Sequence, residues 1–519
     1  MALEKDQTPP ASSGISSQEK RTGMIAPPQT NQLNVQTLAQ QPTPQSDLER
    51  QRQMRLAWKA YKGDFHRPLK VGRDGLDPNV IVNRCAPIVD KGVSFLFGQV
   101  VKIEATDEAS KSSSDIQDFI DGLWGDDDDK MTLLVKLAMN GGVCGQHFLK
   151  IIPAQGQMKY PRMVIQDPQL IRMVTPPDDC DLVLAFIIEY PGPNDTQCKQ
   201  IIARVDPDGL AEIAGAYDFD DTWTITNYVR KNQPYGGMSD QWQQVGDPQE
   251  WLYPFPPLFT NQNLPNPNES WGLPDLPFNL IDQNNALNFN QSNTNLIIKH
   301  HAHPKTWARG IGTTQIEIGV DDLTVLQSDT AELQNLEMNS DLSSSRNFSS
   351  DIRSDMDEQS RVPAVALGRL TDLPRGNISG VALQLLFQPL IEKTVLKQRL
   401  YGRVIREITR AALVLAGLIS VDQYEDFKIG VKWQSSLPND DLQAAQTATV
   451  LSQLGVSKQT LLSSLGYDAE EEAEKNEAED AKTVTAFSQG RGLPPALPQP
   501  GQPGQKMDPM MQQQQGGQQ

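Results

Sequence analysis

Three histidines within four residues, His300, His301 and His303, form the densest set of metal-ligating side chains in the sequence. A zinc site needs four ligands at defined spacing, and no cysteine or carboxylate stands at such a spacing from these imidazoles. The simpler reading is a polar helix end. The run Asp126-Asp127-Asp128-Asp129, followed by Lys130, could attract a divalent cation, but it lacks the alternating ligands and turn glycine of a calcium loop. It reads as a solvated acidic turn whose charge suits the start of the following helix. The stretch Gly141-Gly142-Val143-Cys144-Gly145 lacks the Lys and Ser/Thr of a phosphate-binding loop, and reads as a helix end turning into a strand. No GxSxG elbow or dinucleotide fingerprint follows elsewhere. Cys85, Cys144, Cys180 and Cys198 form no CxxC pair and read as buried thiols of a reducing compartment. No catalytic, metal or cofactor-binding residue is therefore assigned, and an enzyme such as a nuclease or an ATP-driven motor is disfavoured.

The remaining candidates act by charge. Arg361, Arg369 and Arg375 lie in or beside the Gly/Pro-punctuated stretch 363–379, next to Asp372. One loop arginine is ordinary surface, but repeated around a ring it becomes a belt of charge. The chain as a whole carries a formal charge of −19. That excludes tight nucleic-acid binding through an overall basic surface, though not passage of DNA without grip.

With 519 residues the chain has room for two to four domains. Residues 1–46 are rich in Gln, Pro, Ser and Thr, and 488–519 in Gln, Pro, Gly and Met, so both ends are expected to lack order. No charged-then-apolar leader is expected, and the apolar runs 182–188 and 411–419 are too short to span a bilayer.

Between the ends, the spacing predicts a helix capped by Asp47, helices over 83–98, 115–124 and 130–140, and an antiparallel β region from about 146 to 260. A helix over 275–301 is unusually rich in Asn and Gln, poor helix formers that call for bonding neighbours. Strands are expected at 306–309, 315–318 and 324–326, then a polar helix at 341–360. The strongest element is 380–417, where Leu383, Leu386, Leu390, Leu400, Val404, Ile408 and Leu415 recur at helical intervals and Pro389 should introduce a kink. A short strand at 427–433 precedes helices over 438–485. The fold class is α+β.

The order of segments resembles the portal protein family of tailed phages, in its siphovirus-like branch. The resemblance rests on Asn83-Arg84-Cys85-Ala86-Pro87-Ile88-Val89-Asp90 running into Phe95-Leu96-Phe97-Gly98, and on the turn and strand Gly141–Ile152. It also rests on Ser379-Gly380-Val381-Ala382-Leu383 entering the long helix, on Pro389-Leu390, on Gln398-Arg399-Leu400-Tyr401, and on Leu437-Pro438-Asn439-Asp440 with Leu454-Gly455-Val456-Ser457. It covers most of 47–485 and is patchy between 155 and 260. It implies a multidomain subunit of a ring, typically of twelve, at one capsid vertex, the conduit for DNA packaging and ejection; the alternative is another phage head or head-tail adaptor structural protein. The implied parts are a wing (47–265, completed by the kinked helix within 380–437), stem helices (266–301 and 341–362), and a β-containing clip (302–340). A tunnel loop (363–379) and a helical crown (438–487) complete them. The resemblance further implies that Arg361, Arg369, Asp372 and Arg375 face a DNA channel. Ser379, Gly380 and Pro389 would form the loop-to-helix junction, and Trp307, Arg309, Gln315 and Glu317 would lie on the docking clip. Implied partners are further copies of the chain, the terminase large subunit, head-completion and adaptor proteins, capsid and scaffolding proteins, and passing double-stranded DNA. The implied location is the virion, after assembly in the host cytoplasm; no cofactor and no membrane are implied.

Overall fold

The computed structural model describes residues 35–71, 77–106, 114–176, 179–204, 222–231, 241–302, 306–309, 332–335, 342–369, 380–434, 448–464, 472 and 475–476. The chain divides into two units, Met1–Ser436 and Leu437–Gln519.

In the first unit, helix α1 (Val35–Gln40) leads to α2 (Gln45–Tyr61) and α3 (Cys85–Phe97). Strand β1 (Lys102–Ala105), α4 (Ser114–Trp124) and α5 (Asp127–Cys144) follow. Helix α1 lies inside the stretch expected to lack order. It forms because Leu38 and Ala39 bury against Ala185, Ile187, Ile201 and Ala203 of the main sheet and against Trp242 just before its strand 243–244. Gln40 and the Trp242 backbone exchange two hydrogen bonds of 2.8 and 3.1 Å, and Lys199 donates to the Ala39 carbonyl. Tertiary docking supplies what the local composition lacks. Asp47 is not the cap of α2, which starts earlier; it is buried and pairs with Arg50 at 2.6 Å. The acidic run is likewise part of a helix and not a turn before one. The Asp126 carboxylate accepts from the Asp129 amide at 2.8 Å as the N-cap of α5, and Asp127–Asp129 fill the first turn, where the helix dipole favours negative charge. At the other end Gly145, at φ 82°, turns the chain from α5 into a strand as expected.

The β region contains β2 (Gln146–Ile152), β3 (Arg162–Gln166), β4 (Ile171–Val174), β5 (Ala185–Pro191), β6 (Thr196–Arg204), β7 (Trp223–Lys231), β8 (Gln243–Gln244), β9 (Gln249–Trp251) and β10 (Leu258–Gln262). All of its pairings are antiparallel, in a three-stranded sheet β10-β2-β3 and a six-stranded sheet in which β8 and β9 both pair with β7. Helix α6 (Phe278–Ala302), the paired strands β11 (Thr306–Arg309) and β12 (Glu332–Asn335), and α7 (Ser343–Ser360) come next. The strands expected at 315–318 and 324–326 lie outside the described residues.

Helix α8 (Gly380–Leu415) continues through Pro389 as one element. Its buried side, including Tyr401, Val404, Ile405, Ile408 and Ala412, is the spine of the core. Trp124 of α4 donates to Thr409 from one side, and Asn261 of β10 donates to the Leu400 carbonyl from another. Strand β13 (Ile429–Lys432) closes on β1 in antiparallel register.

Within the second unit, residues 448–453 are helical, Gly455 takes φ 87°, and Ser457 starts a further helix (Lys458–Ser464) by accepting from the Thr460 amide. No described helix is long and apolar enough to cross a membrane.

Candidate functional site

Among the described residues, a cluster of buried polar groups lies where α6 and α7 meet α5 and α8. Lys393 and Lys397 occupy core positions of α8, one turn apart, in line with Leu390, Tyr401 and Val404. Both face Asp275, whose side chain is completely buried. Lys393 Nζ lies 3.0 Å from Asp275 Oδ1 and donates to the carbonyl of Ser360, the last residue of α7. That carbonyl end carries the negative pole of the helix and helps to balance the second ammonium. Lys397 pairs with the other carboxylate oxygen of Asp275, and the Asp275 amide donates to the Gly142 carbonyl at 2.8 Å. One aspartate thus ties together the start of α6, the end of α7, the middle of α8 and the end of α5.

The electrostatics follow from this geometry. Burial pushes the Asp275 carboxyl up, but the two ammonium groups outweigh it and hold the pKa down to about 2. For Lys397 burial dominates over attraction by Asp275, and the pKa falls to about 8. Tyr401 completes the layer by donating to Asn263 at 3.0 Å, and burial raises its pKa well above the ordinary value. The His147 ring stacks on Tyr401 with centroids 4.0 Å apart. Burial, then the nearby Lys397, lowers the His147 pKa to about 3. Among the described residues neither ring nitrogen of His147 has a hydrogen-bond partner, so the neutral form is the one the pocket accepts. The paired glycines of α5 make room for this layer. A methyl group on Gly141 would meet the Tyr401 hydroxyl at 1.9 Å, and one on Gly142 would stand 3.0 Å from the Asp275 carboxylate.

A second ion cluster lies nearby in sequence. Asp357 of α7 accepts from Arg84 at 2.5 Å and from Arg369, and its side chain is 8% exposed. Arg353 lies close enough that burial first, then Arg84 and Arg369, lower its pKa.

The asparagines of α6 find their partners in an extended segment of backbone. Asn284 accepts from the Arg84 amide and donates to the Val82 carbonyl, both at 2.9 Å. Asn288 accepts from the Val82 amide at 2.9 Å, Ser292 from the Val80 amide at 3.0 Å, and Asn295 donates to the Pro78 carbonyl at 2.9 Å. Four helical residues rise about 6 Å and two extended residues about 6.6 Å, so every fourth side chain meets every second peptide. On another side of α6, Asn290 donates to Ser345 and Ser349, and Asn279 to Gln359, which sets α6 and α7 antiparallel. The expected bonding neighbours of this helix are thus both a helix and a strand-like segment.

Of the charge candidates, Arg369 is tied to Asp357 and Arg361 is exposed at φ 59° immediately after α7. Gly380 begins α8 and Pro389 lies within it; Trp307 and Arg309 lie on β11, with Arg309 exposed. Asp372, Arg375, Ser379, Gln315 and Glu317 lie outside the described residues, as does His303, whereas His300 and His301 belong to the last turn of α6. No metal-ligating group of three or more side chains occurs among the described residues. The Asp275 layer was missed from the sequence, although two lysines at core positions of an apolar stripe were its signal.

No curated protein matches the sequence. Among solved structures, a chain from the neck of an empty GTA particle, computed with C6 symmetry, is similar over 73% of this chain and 89% of its own. Its identity is 11% and its TM-score 0.42. The family model for the phage portal protein, SPP1 Gp6-like, matches residues 44–486, which take in both long helices, the β unit between them and the Asp275 layer that anchors them. The chain belongs to the SPP1 Gp6-like family of phage portal proteins.

Proposed function

We propose that this portal chain forms a ring, of about twelve copies, at a unique capsid vertex, through which DNA is packaged and later ejected. The observation that supports this most is the antiparallel pair α6 and α7 bracketing the two-stranded unit β11–β12, inside a family match running from 44 to 486. Two helices bracketing a small β unit make a projection suited to a docking partner. In this reading the body is the wing, α6 and α7 are the stem, and 302–340 is the clip. The terminase large subunit docks at the clip during filling, and head-completion or adaptor proteins replace it. Residues 438–487 form the crown. The stretch 363–379 is the tunnel loop, with Arg361, Asp372 and Arg375 toward DNA. Arg369 acts differently, as the anchor of the loop through Asp357. An acidic ring repels the DNA backbone and permits sliding, whereas an overall basic channel would add a strong binding term.

The test shortens the loop only beyond its anchor. Replacing 370–379 by a short Gly-Ser linker leaves rings of parental mass, but heads assembled with it fill poorly or lose their DNA. Heads that fill and retain DNA normally exclude a channel role for this stretch. Loss of the rings makes it a packing element instead.

A further inference from the structure

The pair α6 and α7 presents two unlike faces. One side of α6 bonds to the extended segment 78–84 and a second bonds to α7. The third carries Phe278 and Phe289, which are 49% and 51% exposed. At about 100° per residue, two sets on α7 lie on opposite sides of the helix. Arg353 and Asp357 occupy the side that meets Arg84, at the end of the extended segment, with exposed Arg346 seven residues before Arg353. Phe348, Asp351 and Asp355, all exposed, lie on the other. One face of the pair is therefore aromatic and acidic. The opposite face, over the extended segment, offers Ile81, 37% exposed, and Arg346.

The heights agree as well. Asn290 bonds to Ser345 and Ser349, so Phe289 and Phe348 stand at one level along the pair. Ile81 sits between Val80 and Val82, which bond to Ser292 and Asn288, and so stands at that same level on the other face. Copies related by rotation about an axis along the helix pair bring one face of each against the opposite face of the next, at matching height. Such a head-to-tail contact closes into a ring.

We infer that the occupant of each face is a second copy of this chain: Phe289, Phe348, Asp351 and Asp355 of one subunit pack against Ile81 and Arg346 of its neighbour. This rests on the ring proposed for the chain and names its contact surfaces. Apolar contact supplies attraction, and the opposed charges fix which face meets which.

The test uses three variants of the full chain, Asp351→Lys with Asp355→Lys, Arg346→Glu, and all three together, assembled at low salt and weighed as single particles. These side chains are exposed, so the thermal midpoints stay at the parental value. Either single-face variant raises the concentration for half-assembly about tenfold, and the combined variant returns to within about threefold of the parent. Single-face variants that assemble like the parent, or a combined variant no better than the worse of them, overturn this assignment and leave the ring standing. A parent that stays monomeric overturns the ring itself.

Discussion

Replacing Asp275 with alanine lowers the unfolding free energy of the first unit by about 3–5 kcal/mol, because two buried ammonium groups lose their shared counter-charge. The reason is asymmetry between breaking a buried ion cluster and removing it. Among the described residues, desolvation of Lys393 and Lys397 is offset by Asp275 and, for Lys393, by the Ser360 carbonyl. Without the carboxylate, Lys397, already held at a pKa of about 8 by burial, is pushed toward its neutral form. Replacing the whole set (Asp275→Asn, Lys393→Met, Lys397→Met) costs far less than Asp275→Ala alone, since no unpaired charge remains. Urea unfolding of both variants at pH 7 checks this. Equal losses in the two would show that the aspartate acts by shape alone.

The second large effect is acid sensitivity centred on His147. Its folded pKa of about 3 lies below the ordinary 6.5, so the unfolded chain takes up a proton that the folded chain refuses. The contribution is fully present above pH 6.5 and is lost progressively as pH falls toward 3. At 1.36 kcal/mol per pH unit the loss is about 2 kcal/mol by pH 5 and about 4 kcal/mol by pH 3. Asp275 acts in a lower window, its contribution being present above 3.8 and lost as pH falls through about 2. His147→Phe keeps a ring against Tyr401 and removes the proton acceptor. The stability difference between parent and variant should therefore change by about 2 kcal/mol between pH 7 and pH 5. Parallel stability curves over that interval would assign the acid sensitivity to other groups.

Both effects concern a layer of which the sequence shows only one half, the two lysines on the apolar stripe of α8. The periodicity over 380–417 matches α8 closely, and the Asn-rich helix and the 341–360 helix fall within three residues of α6 and α7. These elements are long, and their spacing is a local property of the chain. Asp275 meets Lys397 across 122 residues, and no spacing rule links the two. Asp47 looked like a cap because it precedes an apolar-periodic run, but it lies inside α2, pairing with Arg50 one turn on and, across the fold, with Arg172. Helix α1 was hidden by its Gln-rich setting and exists by docking on Trp242 and its neighbours. The Asn-rich face of α6 announced a need for partners, but only folding identifies the 78–84 backbone as one of them.

Buried charge pins the root of α6 and α7 to α8. Asp275 precedes the first of these helices, Ser360 ends the second, and α8 holds both through adjacent turns.

The central claim, a ring that conducts DNA, is tested most directly by negative-stain imaging of the purified full chain. The expected result is annular particles of uniform diameter with a central opening wide enough for a DNA duplex. A population that remains monomeric at every concentration, or particles with no central opening, would contradict it.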